Sequence, residues 1–424
     1  MSRGSFVFTP MALRSLELDK EMLERHKYKK QLASHQVSNY LLRKDRSLLR
    51  SRTTRPATVC HDVVVHNALY TGDLEAMQCL FPRGSTANLI IEPQGGDMRW
   101  VATGEGIWSL NYEQELTTPL HITAGRGFTD CLKLLLQRGA DVSLAPGGAT
   151  ALHESCESNQ PESTKLLLMH GADPNVVSED GLMPLHVCTS PDSIQCAKYL
   201  IQYGAAINGR SIDEDDTPLH VAARNGLPEH TELYLRYAAA VDKQNDEGLT
   251  PLNAACSQRQ EVQDLQRYFK VCQILLGAGA DVHAVDQDKH SPLHMACKNV
   301  NPDVVDLLLA NGARVNDMDY GGEAPMHNIL KVVCYKVGHQ PERIVRALLN
   351  HGSIRVWPGA LPVENKEFYE SIFSLALTPR SLQHLARHRV RCFLEGRIHE
   401  VIPKLKLPTF IKNYLLLEYR GYVH

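Results

Sequence analysis

Short apolar clusters alternate with polar stretches along most of this chain, and they do so on a long beat. Leu120, Leu152, Leu185, Leu219, Leu252, Leu293 and Met326 each open a cluster, preceded by Pro119, Ala151, Pro184, Pro218, Pro251, Pro292 and Pro325. Those seven preceding positions lie 32, 33, 34, 33, 41 and 33 residues apart. The block is Thr118-Pro119-Leu120-His121, identical in Thr217-Pro218-Leu219-His220 and degraded in Thr250-Pro251-Leu252-Asn253 and Ser291-Pro292-Leu293-His294. A period of this length predicts a stack of short units sharing one continuous core, not a single globular core. In each block a hydroxyl can cap a helix, and proline suits the first helical position because its missing N–H would have had no partner. Leucine begins the buried face, and histidine can bridge neighbouring turns.

A second landmark keeps step with the first. From His121 to Gly139, His153 to Gly171, His186 to Gly204, His220 to Ala238 and His294 to Gly312 the distance is 18 residues. Gly-Ala-Asp-Val or a variant follows, placing glycine where a helix must stop and the backbone needs positive φ. Such a spacing holds two short antiparallel helices, and the remaining ~15 residues of the period fit a β-hairpin finger. Two landmarks in register resemble the ankyrin repeat over residues 61–355, with a diverged first copy at His66.

Interruptions of the beat mark insertions, which in a stack map to loops. One covers 89–116 and carries Trp100 and Trp108, aromatic anchors suited to recognition and equally suited to holding the insert together. Others fall at 258–270, where the inter-helix connection is expected to lengthen, and at 335–341. The copies between 118 and 257 are expected to be regular.

Charge refines the picture. The net charge is −3, which predicts no general affinity for nucleic acid, yet residues 1–58 hold 13 Lys or Arg against 5 Asp or Glu. That basic extension, with helices expected near 11–33 and 39–49, reads as a cap on the first apolar face of the stack; a nuclear signal or an anionic partner is the other reading. Acidic residues recur at the hairpin tips, densest at Asp213, Glu214, Asp215 and Asp216, a cluster larger than turn chemistry needs and able to steer a basic partner. Asn175, Asn208, Asn245 and Asn316 sit at hairpin positions.

Eleven scattered cysteines, without a Cys-x-x-Cys pair, read as small buried side chains in a reducing compartment. No apolar run is long enough to span a membrane, and no secretory signal is visible. The expectation is an intracellular protein, cytoplasmic and with nuclear entry open. There is no Gly-x-x-x-x-Gly-Lys loop, no His-Glu-x-x-His and no Gly-x-Ser-x-Gly. No catalytic site, metal or cofactor is expected, and His121, His153, His186, His220, His294 and His327 belong to the repeated block.

Past Gly352 the period ends. Residues 356–377 read as a linker and packing helix. After Thr378-Pro379, the residues Leu382, Leu385, Ala386, Val390, Phe393 and Leu394 form one helical stripe. Leu405-Lys406-Leu407-Pro408 and an apolar helix from Phe410 follow. Some forty residues with this much apolar surface are too few to form a stable core alone, so either the stack or another protein must cover them.

Residues 378–424 resemble a SOCS box. Ser381-Leu382 through Val390 is similar to its elongin-binding half, with Ala386 where that motif usually has cysteine, a loss of about 1 kcal/mol. Leu405, Leu407 and Pro408 match its cullin-binding half, with Lys406 in place of the first proline. The whole chain is thereby identified as a member of the ankyrin repeat and SOCS box family, an all-α solenoid with β-hairpin fingers ahead of a small helical box.

The resemblance implies a non-catalytic substrate receptor of a cullin-5 RING ubiquitin ligase. In that reading elongin B and elongin C join the tail to cullin-5 and RING-box protein 2, and the stack, with Trp100, Trp108 and Asp213–Asp216, holds a protein substrate. It also implies that the four asparagines are candidates for an asparaginyl hydroxylase. The rival reading is a plain scaffold whose tail caps the stack.

Overall fold

In the computed structural model, residues 58–60, 63–82, 87–91, 99–103, 107–111, 116–332, 337–353, 390, 394 and 398–416 are described. By compactness the chain divides into Met1–Val59 and Cys60–His424. The expected helices at 11–33 and 39–49, and the linker at 356–377, lie outside the described residues.

The second unit begins with the diverged copy, α1 (Val63–Thr71) and α2 (Leu74–Leu80). A three-residue strand β1 (Leu89–Ile91) follows, then a hairpin of β2 (Arg99–Thr103) and β3 (Ile107–Asn111), antiparallel with Trp100 opposite Leu110 and Trp108 opposite Ala102. The side chains of both tryptophans lie outside the described residues.

Helix pairs then succeed one another: α3 (Pro119–Gly125) with α4 (Thr129–Gln137), and α5 (Ala151–Glu157) with α6 (Pro161–Met169). After the single helix α7 (Ile194–Gln202) come α8 (Pro218–Arg224) with α9 (Pro228–Arg236), and α10 (Pro251–Ser257) with α11 (Leu265–Gly277). The last pairs are α12 (Pro292–Asn299) with α13 (Pro302–Ala310), and α14 (Pro325–Val332) with α15 (Pro341–Asn350). One hydrophobic cluster runs from Val65 to Leu349 through all of them.

The block's histidine does more than bridge turns. In the copies at Thr150, Thr217 and Ser291 its Nδ1 faces both the hydroxyl and the backbone N–H of the capping residue, closing a reciprocal cap. Its Nε2 meets a carbonyl of the next copy: His121 to Ala149 at 2.9 Å, His153 to Leu182 at 3.1 Å, His186 to Asp216 at 3.0 Å, His220 to Leu249 at 2.9 Å and His294 to Glu323 at 3.2 Å. A carbonyl only accepts, so Nε2 carries a proton, and where Nδ1 accepts a backbone N–H, in His153, His220 and His294, the ring is neutral. Burial enforces the same state, depressing His121 and His220 to about 4 and lowering His153, His186 and His294. Where the block ends in Asn253, its amide donates to Ala284 at 3.2 Å instead.

Three expectations are corrected. The copies between 118 and 257 are not all regular, because Met183–His186 makes only a turn where its neighbours make a helix. Two sequence changes accompany it: Met183 brings no capping hydroxyl, and a proline follows the segment. Ser190 stands where Glu157 ends α5 one copy earlier, but Pro191 follows it, and a residue before proline is driven out of the α region. Ser190 is indeed extended, at φ −114° and ψ 154°.

Next, the extra length at 258–270 is shared between the connection and α11, which has 13 residues where the second helices of most other copies have 9. Its sequence from Leu265 holds no helix breaker before Gly277. Finally, the fingers between 139 and 325 are turns, not strand pairs. Five of the loops are closed by a backbone bond between first and last residue and by a side chain accepting from the loop's last N–H: Ser178, Ser211, Asn245, Asp286 and Asp319 bond the N–H of Leu182, Asp216, Leu249, His290 and Glu323. Single backbone bonds tie successive tips, such as Asp246 to Glu214 and Gln287 to Glu247. A loop this short satisfies its polar groups locally and leaves too few for a ladder.

Candidate functional site

The finger tips and the C-terminal tail carry the residues singled out for recognition. At the tips, the acidic cluster turns out to be largely matched from within. Arg210 pairs with Asp215, and Arg224 reaches Glu214 at 2.6 Å and Asp216 at 2.8 Å. Asp216 is not a surface group. Only 2% exposed, it accepts a 2.8 Å bond from the Asn245 amide, and its carbonyl accepts from His186. Burial lifts its carboxyl to about 6 against the pull of Asn245 and Arg224, while Arg224 holds Glu214 below its ordinary value. Asp216 is therefore removed from the substrate-facing set: as the residue just before the helix cap it points into the joint between copies. Asp213 and Glu214 stay exposed.

The asparagines are joints as well. Asn175 donates to Gly204 at 3.0 Å and accepts from Ala206 at 2.7 Å, and Asn208 does the same with Ala238 and Ala240 at 3.3 and 2.8 Å. Asn316 donates to Gly352 at 3.1 Å. Asn245 is buried, accepting from Glu247 and Leu249 while donating to Asp216. The spacing of one copy to the next, 29 to 36 residues along the chain, is the signal for such ties.

In the tail, α16 (Ile398–Lys404) and α17 (Thr409–Leu416) are joined by a turn made of Leu405, Lys406, Leu407 and Pro408. The three residues expected to meet a cullin are thus brought together, but they do not all face outward. Leu405 is 40% exposed and Pro408 and Lys406 are exposed, whereas Leu407 packs against the buried pair Ile402 and Leu415. Val390, Leu394, Ile411 and Leu416 pack on the same pair. Sequence reading missed Ile402 and Leu415 as this small core, although Ile402 sits just ahead of Pro403 and so did not read as helical. Leu382, Leu385, Ala386 and Phe393 lie outside the described residues.

The chemistry of the rest is quiet. Burial raises the thiols of Cys131, Cys156 and Cys297, and the hydrogen bond to Cys272 together with burial raises that of Cys256, which keeps them protonated and unreactive. Among the described residues no three His, Cys, Asp or Glu side chains are arranged to hold a metal ion, and no helix is long and apolar enough to cross a membrane.

A solenoid of helix pairs with tied finger tips, followed by helices gathered on an apolar cluster of their own, defines a binding protein with two separately built parts. Residues 39–178, 164–239, 185–265, 219–319 and 262–357 match ankyrin repeats (3 copies), and residues 378–416 match the SOCS box. Ankyrin repeat and SOCS box protein 16 of Homo sapiens is 37% identical over 99% of this chain and 99% of its own length. The human proteins 10 and 18 of the same name are 43% and 39% identical, covering 77% and 83% of this chain and 79% and 85% of their own lengths. The chain belongs to the ankyrin repeat and SOCS box family. A finer expectation from its sequence, the member numbered four, is not confirmed by the relatives named above.

Proposed function

We propose that this chain is the substrate-recognition subunit of a cullin-5 RING ubiquitin ligase. In this reading elongin B and elongin C engage Leu382, Leu385, Ala386, Val390 and Phe393, and cullin-5 with RING-box protein 2 docks beside Leu405, Leu407 and Pro408. The stack holds a protein substrate, through Trp100, Trp108, Asp213, Glu214 or Asp215, for ubiquitination and proteasomal degradation. The chain supplies proximity by raising the effective concentration of substrate lysines beside a charged conjugate; none of its residues touches the bond being made. The cytoplasm is the expected compartment, with residues 1–58 the candidate for nuclear entry.

One observation supports this reading best. Among the described residues, the tail's apolar cluster around Ile402 and Leu415 is distinct from the stack's. A tail that served only to cap the stack would share its core. A box of some forty residues also calls for a further surface to cover its apolar stripe. The test is capture of elongin B and C by the full chain and by Leu382→Pro. Loss of capture, with the stack's melting transition unchanged, is expected. Undiminished capture overturns the adaptor reading in favour of a scaffold.

Hydroxylation of Asn175, Asn208, Asn245 or Asn316 by an asparaginyl hydroxylase is a separate proposal, read as a 16 Da mass increase, the mass of one oxygen atom, on those peptides. Since each amide ties two copies together, the modifying enzyme would have to act on an opened joint.

A further inference from the structure

His290 occupies a position filled by Ala149, Leu182, Asp216, Leu249 and Glu323 in other copies, the residue just before the helix cap. Its imidazole lies between two carboxylates from successive finger tips. Nδ1 is 3.2 Å from Asp286 Oδ2 on its own tip, and Nε2 is 3.5 Å from Asp319 Oδ2 on the next. Each carboxylate has already committed its other oxygen to its own loop, Asp286 to the N–H groups of Asp288 and His290 and Asp319 to that of Glu323. The outer oxygens are therefore surplus to turn chemistry. Ser178, Ser211 and Asn245 close the equivalent loops without a carboxylate.

We propose that His290 is a proton-operated clamp between the fingers of these two copies. Protonated, the imidazole donates from both nitrogens and holds both carboxylates; neutral, it has one N–H and turns a lone pair toward the other carboxylate. The remaining charged and titratable groups nearby do not substitute for it. His294, whose ring lies 6.2 Å away, is kept neutral by burial with its Nε2–H on the Glu323 carbonyl. Lys289 stands over the Tyr320 ring at 4.8 Å, Glu323 pairs with Lys331, and Asp317 lies near Arg314. Asp288 is exposed at the tip.

The clamped tips are also where apolar side chains reach solvent. Val285 and Met318 precede the two aspartates in the same register, and Tyr320 follows the second; Met318 is 53% exposed and Tyr320 62%. The clamp thus sets how firmly that apolar pair of tips is held together.

Amide hydrogen exchange of the full chain, corrected for intrinsic rates, tests this between about pH 5.5 and about pH 8. Protection of amides 286–290 and 319–323 is expected to fall about two- to fivefold as pH rises, the scale of a partly exposed ion pair. His290→Leu, which copies Leu182 and Leu249, should fold and show no such dependence. Asp319→Asn keeps the loop bond and offers an amide donor to the neutral ring, so its dependence should vanish or reverse. A wild-type protection that is flat with pH, or a fall of equal size in His290→Leu, overturns the proposal.

Discussion

Stack and tail are built from the same kinds of residue to opposite effect. In most copies of the stack a leucine is buried on both helices, so Leu219, Leu252 and Leu293 on the first helices join Leu275 and Leu308 on the second in one continuous core. Among the described residues, the tail buries Ile402 and Leu415, with Leu407 and Ile411 half covered around them. Repetition explains the difference: every copy covers its neighbour's apolar face, and the tail has no second tail to lean on. A core that closes on itself supports folding; under the proposed function, one that does not is covered by another chain.

The largest effect that would break this comparison lies in the stack. Leu219→Ala removes a side chain with no exposure and should cost about 2–5 kcal/mol in urea unfolding. Ile402→Ala removes a side chain as deeply buried, yet it should leave the stack's transition within about 0.5 kcal/mol, the range for positions outside a shared core. Equal losses from both would mean one cooperative unit and would erase the distinction drawn here.

Next in size is the histidine bridge. His220→Leu keeps the volume apolar but strands the Leu249 carbonyl and the Thr217 N–H, for a loss of about 1–3 kcal/mol at neutral pH. The bridge also has a pH signature. Its imidazole takes a proton near the ordinary 6.5 in the unfolded chain and only near 4 when folded. The stability it contributes is thus complete above 6.5 and drains away as pH falls toward 4. His121 behaves in the same way, with a folded value of about 4. Unfolding curves of the wild type should therefore shift to lower urea on acidification, and His220→Leu should shift less.

Much of this could be read from the chain itself, because a repeated structure prints its constraints repeatedly. The helix starts at Pro119, Pro218 and Pro251 and the stops at Gly139 and Gly204 were visible as spacing. What stayed hidden depends on neighbours far along the chain. Nothing local separates Asp216, which is buried on Asn245, from Asp213, which faces water. Met183–His186 carries the helix-start motif without its capping hydroxyl, and the Ser190-Pro191 step seven residues after Met183 departs from its neighbours again. Val300 takes φ 58°, where Gly127 and Gly226 stand in other copies, in a segment held from both sides by Asn299 and Asn301 and by His339 of the next copy. In the tail, Pro403 disguised the helix that carries Ile402.

A smaller prediction concerns the joint at Asp216. Asp216→Asn keeps an acceptor for the Asn245 amide and removes a carboxylate that burial disfavours, its folded value of about 6 lying above the ordinary 3.8. Since the fold binds that proton more tightly than the unfolded chain does, the penalty is present above about 6 and relieved as pH falls toward 3.8. The variant should match or exceed wild type at neutral pH and lose the advantage in acid. Asp216→Leu, which leaves the Asn245 amide and Arg224 without their partner, should instead lose about 1–3 kcal/mol.

The smallest effect sits where the stack departs from its own rule. Ala238 occupies the helix-ending position that Gly139, Gly171, Gly204, Gly279 and Gly312 fill elsewhere, and like them it is left-handed, at φ 60°. A methyl built on Gly139, Gly171, Gly204 or Gly279 would meet nothing within 4 Å, so by analogy the alanine's penalty is in the backbone and not in a clash. An L-residue with a Cβ pays roughly 1–2 kcal/mol there, and glycine returns part of that through its freer unfolded chain. Ala238→Gly should therefore stabilise the stack by about 0.5–1 kcal/mol, read as a higher urea midpoint at unchanged slope. A neutral or destabilising result would show that the Asn208 amide, which donates to the Ala238 carbonyl at 3.3 Å, already fixes this backbone tightly enough to absorb the difference.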